Sequence, residues 1–135
     1  MNKRMRKLLA EKLLREAGFI LEEFYHQGIN EVITDLRIRC LIDKDAKDAV
    51  GILHGLHFSR MLYQLHFGPV VYVRNAIARF VEGRFGYCQE CGSDLPREWL
   101  RKNPLVEYCS QCMVKVSPSH RESAKRDEIA EQILY

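Results

Sequence analysis

Four of the five cysteines fall into two knuckles, Cys88-Gln89-Glu90-Cys91 and Cys109-Ser110-Gln111-Cys112, separated by seventeen residues. Two residues between cysteines let both thiolates of a tight turn face one ion, while backbone amides of the turn donate to the sulfurs. Gly92 suits the left-handed position that such a knuckle requires. Four thiolates saturate a tetrahedral Zn²⁺, so the site expected at Cys88, Cys91, Cys109 and Cys112 is structural, with one zinc ion and no open position for catalysis. A redox pair would want a single C-x-x-C beside a βαβ pattern, which is missing here. Four thiolates at this spacing favour zinc over an iron–sulfur cluster without excluding iron. Cys40 lies far from the knuckles on an apolar helical stripe, where a buried small hydrophobe is the expectation.

Other groups with chemical potential are sparser. His54 and His57 stand three apart, with His66 further on. Two imidazoles at that spacing can share a metal, but no carboxylate at helical spacing completes a site, so packing with polar tips is the expected role. Asp43, Asp45 and Asp48 form an acidic cluster. Capping a helix start, a contribution of ~0.5–1 kcal/mol, accounts for them locally, and an acidic tip offered to a cation or a basic partner is the functional alternative. The chain contains no G-x-S-x-G, Walker loop, G-x-G-x-x-G or H-E-x-x-H, and it is not expected to be an enzyme. The leading stretch carries Lys3, Arg4, Arg6, Lys7, Lys12 and Arg15 against Glu11 and Glu16. A solvated helical face explains this most simply, and contact with phosphates or an acidic protein face is the alternative.

These groups need elements to hold them. The chain has 135 residues, 47% hydrophobic and 29% charged, with a net charge of +3, the balance of one globular domain with a small appended module. Its longest apolar run, Phe67 to Val73, is far short of the ~20 residues that span a bilayer, and the basic start develops no hydrophobic signal region. No membrane segment is expected and the location expected is cytoplasmic, where thiols stay reduced.

Met5, Leu8, Leu9, Leu13, Ala17, Ile20, Leu21 and Phe24 recur at helical steps, with Gly28 as a stop. Val32, Ile33, Leu36 and Cys40 read as a second helix, although Leu36 to Cys40 also alternates as a strand would. The polar stretch 43–48 is the tip between two helices. A third helix is expected to carry Ala46, Ala49, Val50, Leu53, Leu56, Met61, Leu62 and Leu65, with Gly51 and Gly55 allowing close approach of a neighbouring backbone. Gly68-Pro69 breaks or kinks it. Helical spacing resumes at Val73 and ends near Gly83. The expected fold is therefore mainly α: a helical hairpin or small helical bundle over 1–83 with its acidic tip at 43–48, a four-cysteine zinc module over 84–116 that needs its metal as a staple, and a charged helix or tail over 117–135.

The segment Ile77-Ala-Arg-Phe-Val-Glu-Gly-Arg-Phe-Gly-Tyr-Cys-Gln-Glu-Cys-Gly92, with its F-G-Y-C-x-x-C-G signature, followed by Ser93-Asp94-Leu95-Pro96 and by Tyr108 to Cys112, resembles the DksA/TraR family of bacterial transcription factors that bind RNA polymerase. The resemblance covers roughly a third of the chain. It implies an α-helical hairpin ahead of the zinc module, which enters the polymerase secondary channel and places a D-x-x-D-x-A tip near the catalytic magnesium. Asp45 and Asp48 match both aspartates, and Val50 stands where the alanine is usual. A straight helix from Asp45 to Gly83 would reach ~58 Å at ~1.5 Å per residue. The family also implies a response to the alarmone ppGpp, but the basic residue usual directly after the fourth cysteine is Met113 here, with Lys115 further on.

The function expected is a non-enzymatic regulator of transcription that binds RNA polymerase. Two alternatives come from other classes. One is a nucleic-acid-binding zinc protein using Lys3, Arg4, Arg6, Lys7, Arg97, Arg101 and Lys102, recognisable by steep salt dependence. The other is an adaptor, such as a homo-oligomer, whose apolar middle helices form the interface.

Overall fold

The computed structural model describes residues 2–115, and the expected helix or tail over 117–135 lies outside them. The first helix, α1 (Lys3–Tyr25), starts where the Asn2 side chain accepts a hydrogen bond from the Met5 amide at 2.8 Å. This satisfies one of the four amides that a helix start leaves unpaired. Its stripe of Met5, Leu9, Leu13, Ala17, Ile20 and Leu21 is buried, as the periodicity predicts. Termination falls two residues earlier than expected. His26 takes a left-handed conformation (φ 54°) and its amide donates to the Leu21 carbonyl, while Gly28 precedes the next helix.

Helix α2 (Ile29–Ile38) resolves the helix-or-strand ambiguity of this segment in favour of helix, burying Val32 and Leu36. Cys40 does not join that stripe. The chain turns at Arg39, the Leu41 amide donates back to the Leu36 carbonyl at 2.9 Å, and Cys40 is left exposed at φ 61°. The expectation of a buried Cys40 fails because the helix ends before its periodicity can carry the residue inward.

Helix α3 (Ala49–Phe58) is capped by Asp48, whose Oδ1 accepts from the Val50 amide at 3.3 Å. It does not run on through Leu65. Arg60 adopts φ 61°, and Met61–Tyr63 form only a 3-10 turn. After Phe67 the chain starts afresh as α4 (Gly68–Val81). Pro69 sits in the first turn of α4, where its missing N–H has no intrahelical partner to lose and its φ is already helical. Gly68-Pro69 is therefore a helix start, and no single straight helix spans Asp45 to Gly83.

The arrangement is a bundle. Helix α1 packs against both α3 and α4, these two pack against each other, and α2 covers α1 and α3 more lightly. Leu9, Leu13, Leu21, Leu53, Leu56, Ile77 and Phe80 fill the centre. Each such side chain contributes about 1.5–3 kcal/mol through removal of its apolar surface from water. Gly55 lets the loop after α2 lie on α3: a Cβ there would run into Ile42 and come within 3.1 Å of the Leu41 carbonyl oxygen. Gly51, by contrast, faces open space.

The cysteine-bearing segment follows α4 with two short helices, α5 (Arg97–Lys102) and α6 (Ser110–Lys115). No strand forms among the described residues; the one β feature is an isolated antiparallel bridge between Tyr87 and Asp94. Phe85, Cys88, Leu95, Leu100 and Cys112 belong to the same buried cluster as the bundle's leucines, and the Phe85 ring meets Phe80 edge-on at 5.6 Å. Arg79 adds a polar fastening. It is only 5% exposed and pairs with Glu107 at 3.5 Å, across the joint between α4 and the segment that leads to Cys109.

Candidate functional site

The two cysteine knuckles close on one point. The four sulfurs of Cys88, Cys91, Cys109 and Cys112 all lie within 4.8 Å of one another, and those of Cys91 and Cys109 are 3.8 Å apart. Four thiolates around a tetrahedral Zn²⁺ with bonds of about 2.3 Å stand about 3.8 Å from each other. The donor set and its spacing therefore fit one metal ion held by these four residues. Among the described residues no other such cluster of His, Cys, Asp and Glu occurs.

Local backbone explains how the sulfurs converge. In the first knuckle the Gly92 amide donates to the Cys88 carbonyl at 2.9 Å, with Gly92 at φ 76°, and the Cys88 amide donates to the Ser93 carbonyl at 2.8 Å. The Leu95 amide closes the outer loop on the Gly86 carbonyl at 2.9 Å, with Gly86 at φ 92°. In the second knuckle the Cys112 amide donates to the Cys109 sulfur at 3.4 Å, the amide-to-sulfur bond expected of a C-x-x-C turn. The knuckles are stitched to each other where the Gln89 amide donates to the Glu107 carbonyl at 2.8 Å.

The thiols are electrostatically poised for a cation. Burial pushes Cys88 up, but amides at Cys91, Cys109 and Glu90 outweigh it and bring the thiol down to about 6. The Cys112 amide likewise draws Cys109 down. Cys112 goes the other way, to about 12, because the neighbouring Cys91 sulfur and burial both favour its protonated form. Four negative sulfurs at this distance repel one another strongly, and a divalent ion relieves that repulsion.

Sequence reasoning did not single out three residues of this region. Ser93 places its hydroxyl 2.9 Å from the Cys91 sulfur, and Glu107 and Arg79 join the centre to α4. The pair 79 and 107 carries no local signal, because its members are brought together only by the fold.

The acidic tip is present and exposed. Asp43, Asp45 and Asp48 all face solvent in the loop between α2 and α3. Asp48 performs the capping role, while Asp45 lies in a turn braced by Arg37, whose Nη2 donates to the Ala46 carbonyl at 2.8 Å. The tip thus stands at a corner of the bundle. The histidines lie outside the cysteine cluster: His54 and His57 pack their rings against Phe58 at 6.3 and 5.6 Å, and the His66 ring nitrogen meets Arg74 at 3.4 Å. Of the basic residues, Lys3, Arg4, Lys7, Arg97, Arg101 and Lys102 are exposed. Arg6 is not available in the same way, since its guanidinium lies 4.1 Å from the Phe80 ring centre.

No family model matches the chain. No solved structure matches it either. A protein of Aquifex aeolicus (strain VF5), described as an uncharacterized protein, is 24% identical over 116 residues, which span 86% of this chain and 79% of that protein. A match of that length takes in the helical body and the cysteine segment together. The class defined by fold and site is a mainly helical protein with a four-cysteine cluster suited to one metal ion, and no described helix is long and apolar enough to cross a membrane.

Proposed function

We propose that this chain is a non-enzymatic transcription regulator of the cytoplasm, which binds RNA polymerase and acts through Asp45 and Asp48. The observation that carries the reading is one combination: an F-G-Y-C-x-x-C-G knuckle, part of a zinc-suited cluster, and an exposed D-x-x-D corner at the start of the helices leading to it. When bound, zinc would serve as a structural staple that fixes the two knuckles as one rigid body. Arg37 braces the loop, so the Asp45 carboxylate is held out on a positioned turn. Carboxylates brought near a catalytic Mg²⁺ alter its coordination or the seating of the incoming nucleotide, which changes the stability of initiation complexes without adding a reaction.

The bundle sets the reach of this device. Helix α3 has ten residues, about 15 Å, so the α2–α3 corner would lead into the secondary channel in place of a rod. A ppGpp response is not part of the proposal, given Met113 after the fourth cysteine. The test replaces Asp45 and Asp48 together with Asn and measures promoter-dependent transcription. The fold and polymerase affinity should be retained while the transcriptional effect is lost. If the double variant regulates like the parent, the tip has no such role.

One observation favours a second reading, that of an adaptor. Most of the apolar residues of α3 and α4 are used in the protein's own core, but a groove of about 910 Å³ remains between α1 and α2, lined by Leu14, Ile29, Ile33 and Ile52 beside exposed Phe19. A second copy of the chain would find apolar surface there. Sedimentation of the zinc-loaded protein distinguishes this reading, which requires a dimer that Phe19→Asp dissociates.

A further inference from the structure

Lys12, Arg15, Glu16 and Phe19 on α1 face Arg101 and Lys102 at the end of α5 across a cleft of about 240 Å³. Four cations thus meet one carboxylate, and none of the four forms an ion pair with a described residue. Lys12 and Glu16 stand four apart on the helix, where opposite charges ordinarily pair. Here the Lys12 ammonium instead donates to the Arg101 carbonyl, which joins the two walls of the cleft. Phe19, one turn further along the same face, is 68% exposed.

We propose that this cleft is a phosphate-binding site for a phosphorylated ligand, of which a single nucleic-acid strand is the form the geometry favours. Cations gathered in a concavity with no ion pair among the described residues raise the local positive potential, and guanidinium groups match phosphate oxygens in a planar fork. An exposed aromatic ring beside a basic groove is the arrangement on which unpaired bases stack. The small volume of the cleft suits phosphate groups. Sites that enclose a small molecule run to about 300–1,000 Å³, so this cleft takes phosphates while the rest of the ligand passes over it. The site is separate from the metal centre and the acidic tip, and it does not depend on polymerase binding.

The test uses the full zinc-loaded chain, with a short fluorescein-labelled oligothymidylate as one probe and inorganic tripolyphosphate as the other. Two charge-matched double variants are compared, Arg15→Gln with Arg101→Gln in the cleft and Lys44→Gln with Lys47→Gln outside it. Their melting temperatures establish that both still fold. The cleft variant should weaken oligonucleotide binding at least about tenfold and lower the slope of log affinity against log salt by about 1.4, two single-strand phosphate contacts, while the outer variant changes little. Phe19→Ala should weaken the oligonucleotide about tenfold and leave tripolyphosphate unaffected. Binding of tripolyphosphate alone, with the same sensitivity to the cleft variant, supports the phosphate site and identifies a free polyphosphate as its ligand. Equal losses in the two double variants, or binding of neither probe, overturn the proposal.

Discussion

Cys88 and Cys112 shift in opposite directions, to about 6 and about 12, although their sulfurs lie within 4.8 Å of each other. Despite burial, backbone amides of the knuckle turns draw Cys88 down, while the neighbouring Cys91 sulfur and burial push Cys112 up. The histidines follow their sequence expectation of packing, since His54 and His57 set their rings against Phe58. Burial first, and then the nearby Arg60 charge, lower the His57 imidazole from its ordinary value of 6.5. The sign of the consequence is definite. Above 6.5 both folded and unfolded chains hold His57 neutral; as pH falls below 6.5 the unfolded chain takes up its proton first, so stability is lost until the folded imidazole also protonates. Thermal melts between neutral and mildly acidic pH should show this decline, and His57→Gln should flatten it. An unchanged slope in the variant would assign the decline to other groups.

At the scale of elements, α1 and the cysteine knuckles were legible because their signals are local: a stripe at helical steps and a repeated spacing. The length of α3 was not. Met61, Leu62 and Leu65 continue the apolar spacing, yet the left-handed turn at Arg60 ends the helix, and Leu62 reaches the core from a 3-10 turn instead. Apolar periodicity reports which residues go inward and says little about whether the backbone between them stays helical. Cys40 makes the same point, since it has the right spacing but follows the last helical turn. The paired glycines separate by environment. Gly51→Ala should stabilise the protein by about 0.5–1 kcal/mol, because the new methyl meets open space and helix propensity rises. Gly55→Ala should cost about 1–3 kcal/mol, since the loop at Leu41 and Ile42 must move aside. Chemical denaturation of the two variants checks both signs.

At the scale of the whole molecule, the bundle and the cysteine segment share one apolar cluster and the Arg79–Glu107 pair, a union that no local pattern announces. Loss of the metal should therefore be felt beyond the knuckles. Cys109→Ser should fail to retain stoichiometric zinc and should lower the melting temperature of the entire chain by about 10 °C or more, whereas Cys40→Ser, at an exposed turn, should change neither. Full zinc and an unaltered melt in Cys109→Ser would remove the structural role assigned to the site. The acidic corner also belongs to this scale, because Asp45 and Asp48 acquire a direction only from the packing of α2 and α3. Their match to a D-x-x-D tip was legible in the sequence. The corner geometry that replaces a long rod was not, since it depends on where α3 stops and how α1 folds across both α3 and α4.

The most direct test of the functional account is binding of the purified, zinc-loaded chain to core RNA polymerase. Binding should be tight and saturable, and it should be preserved when Asp45 and Asp48 are both replaced by Asn. Absence of binding to the polymerase by a fully zinc-loaded, folded protein would contradict the functional account.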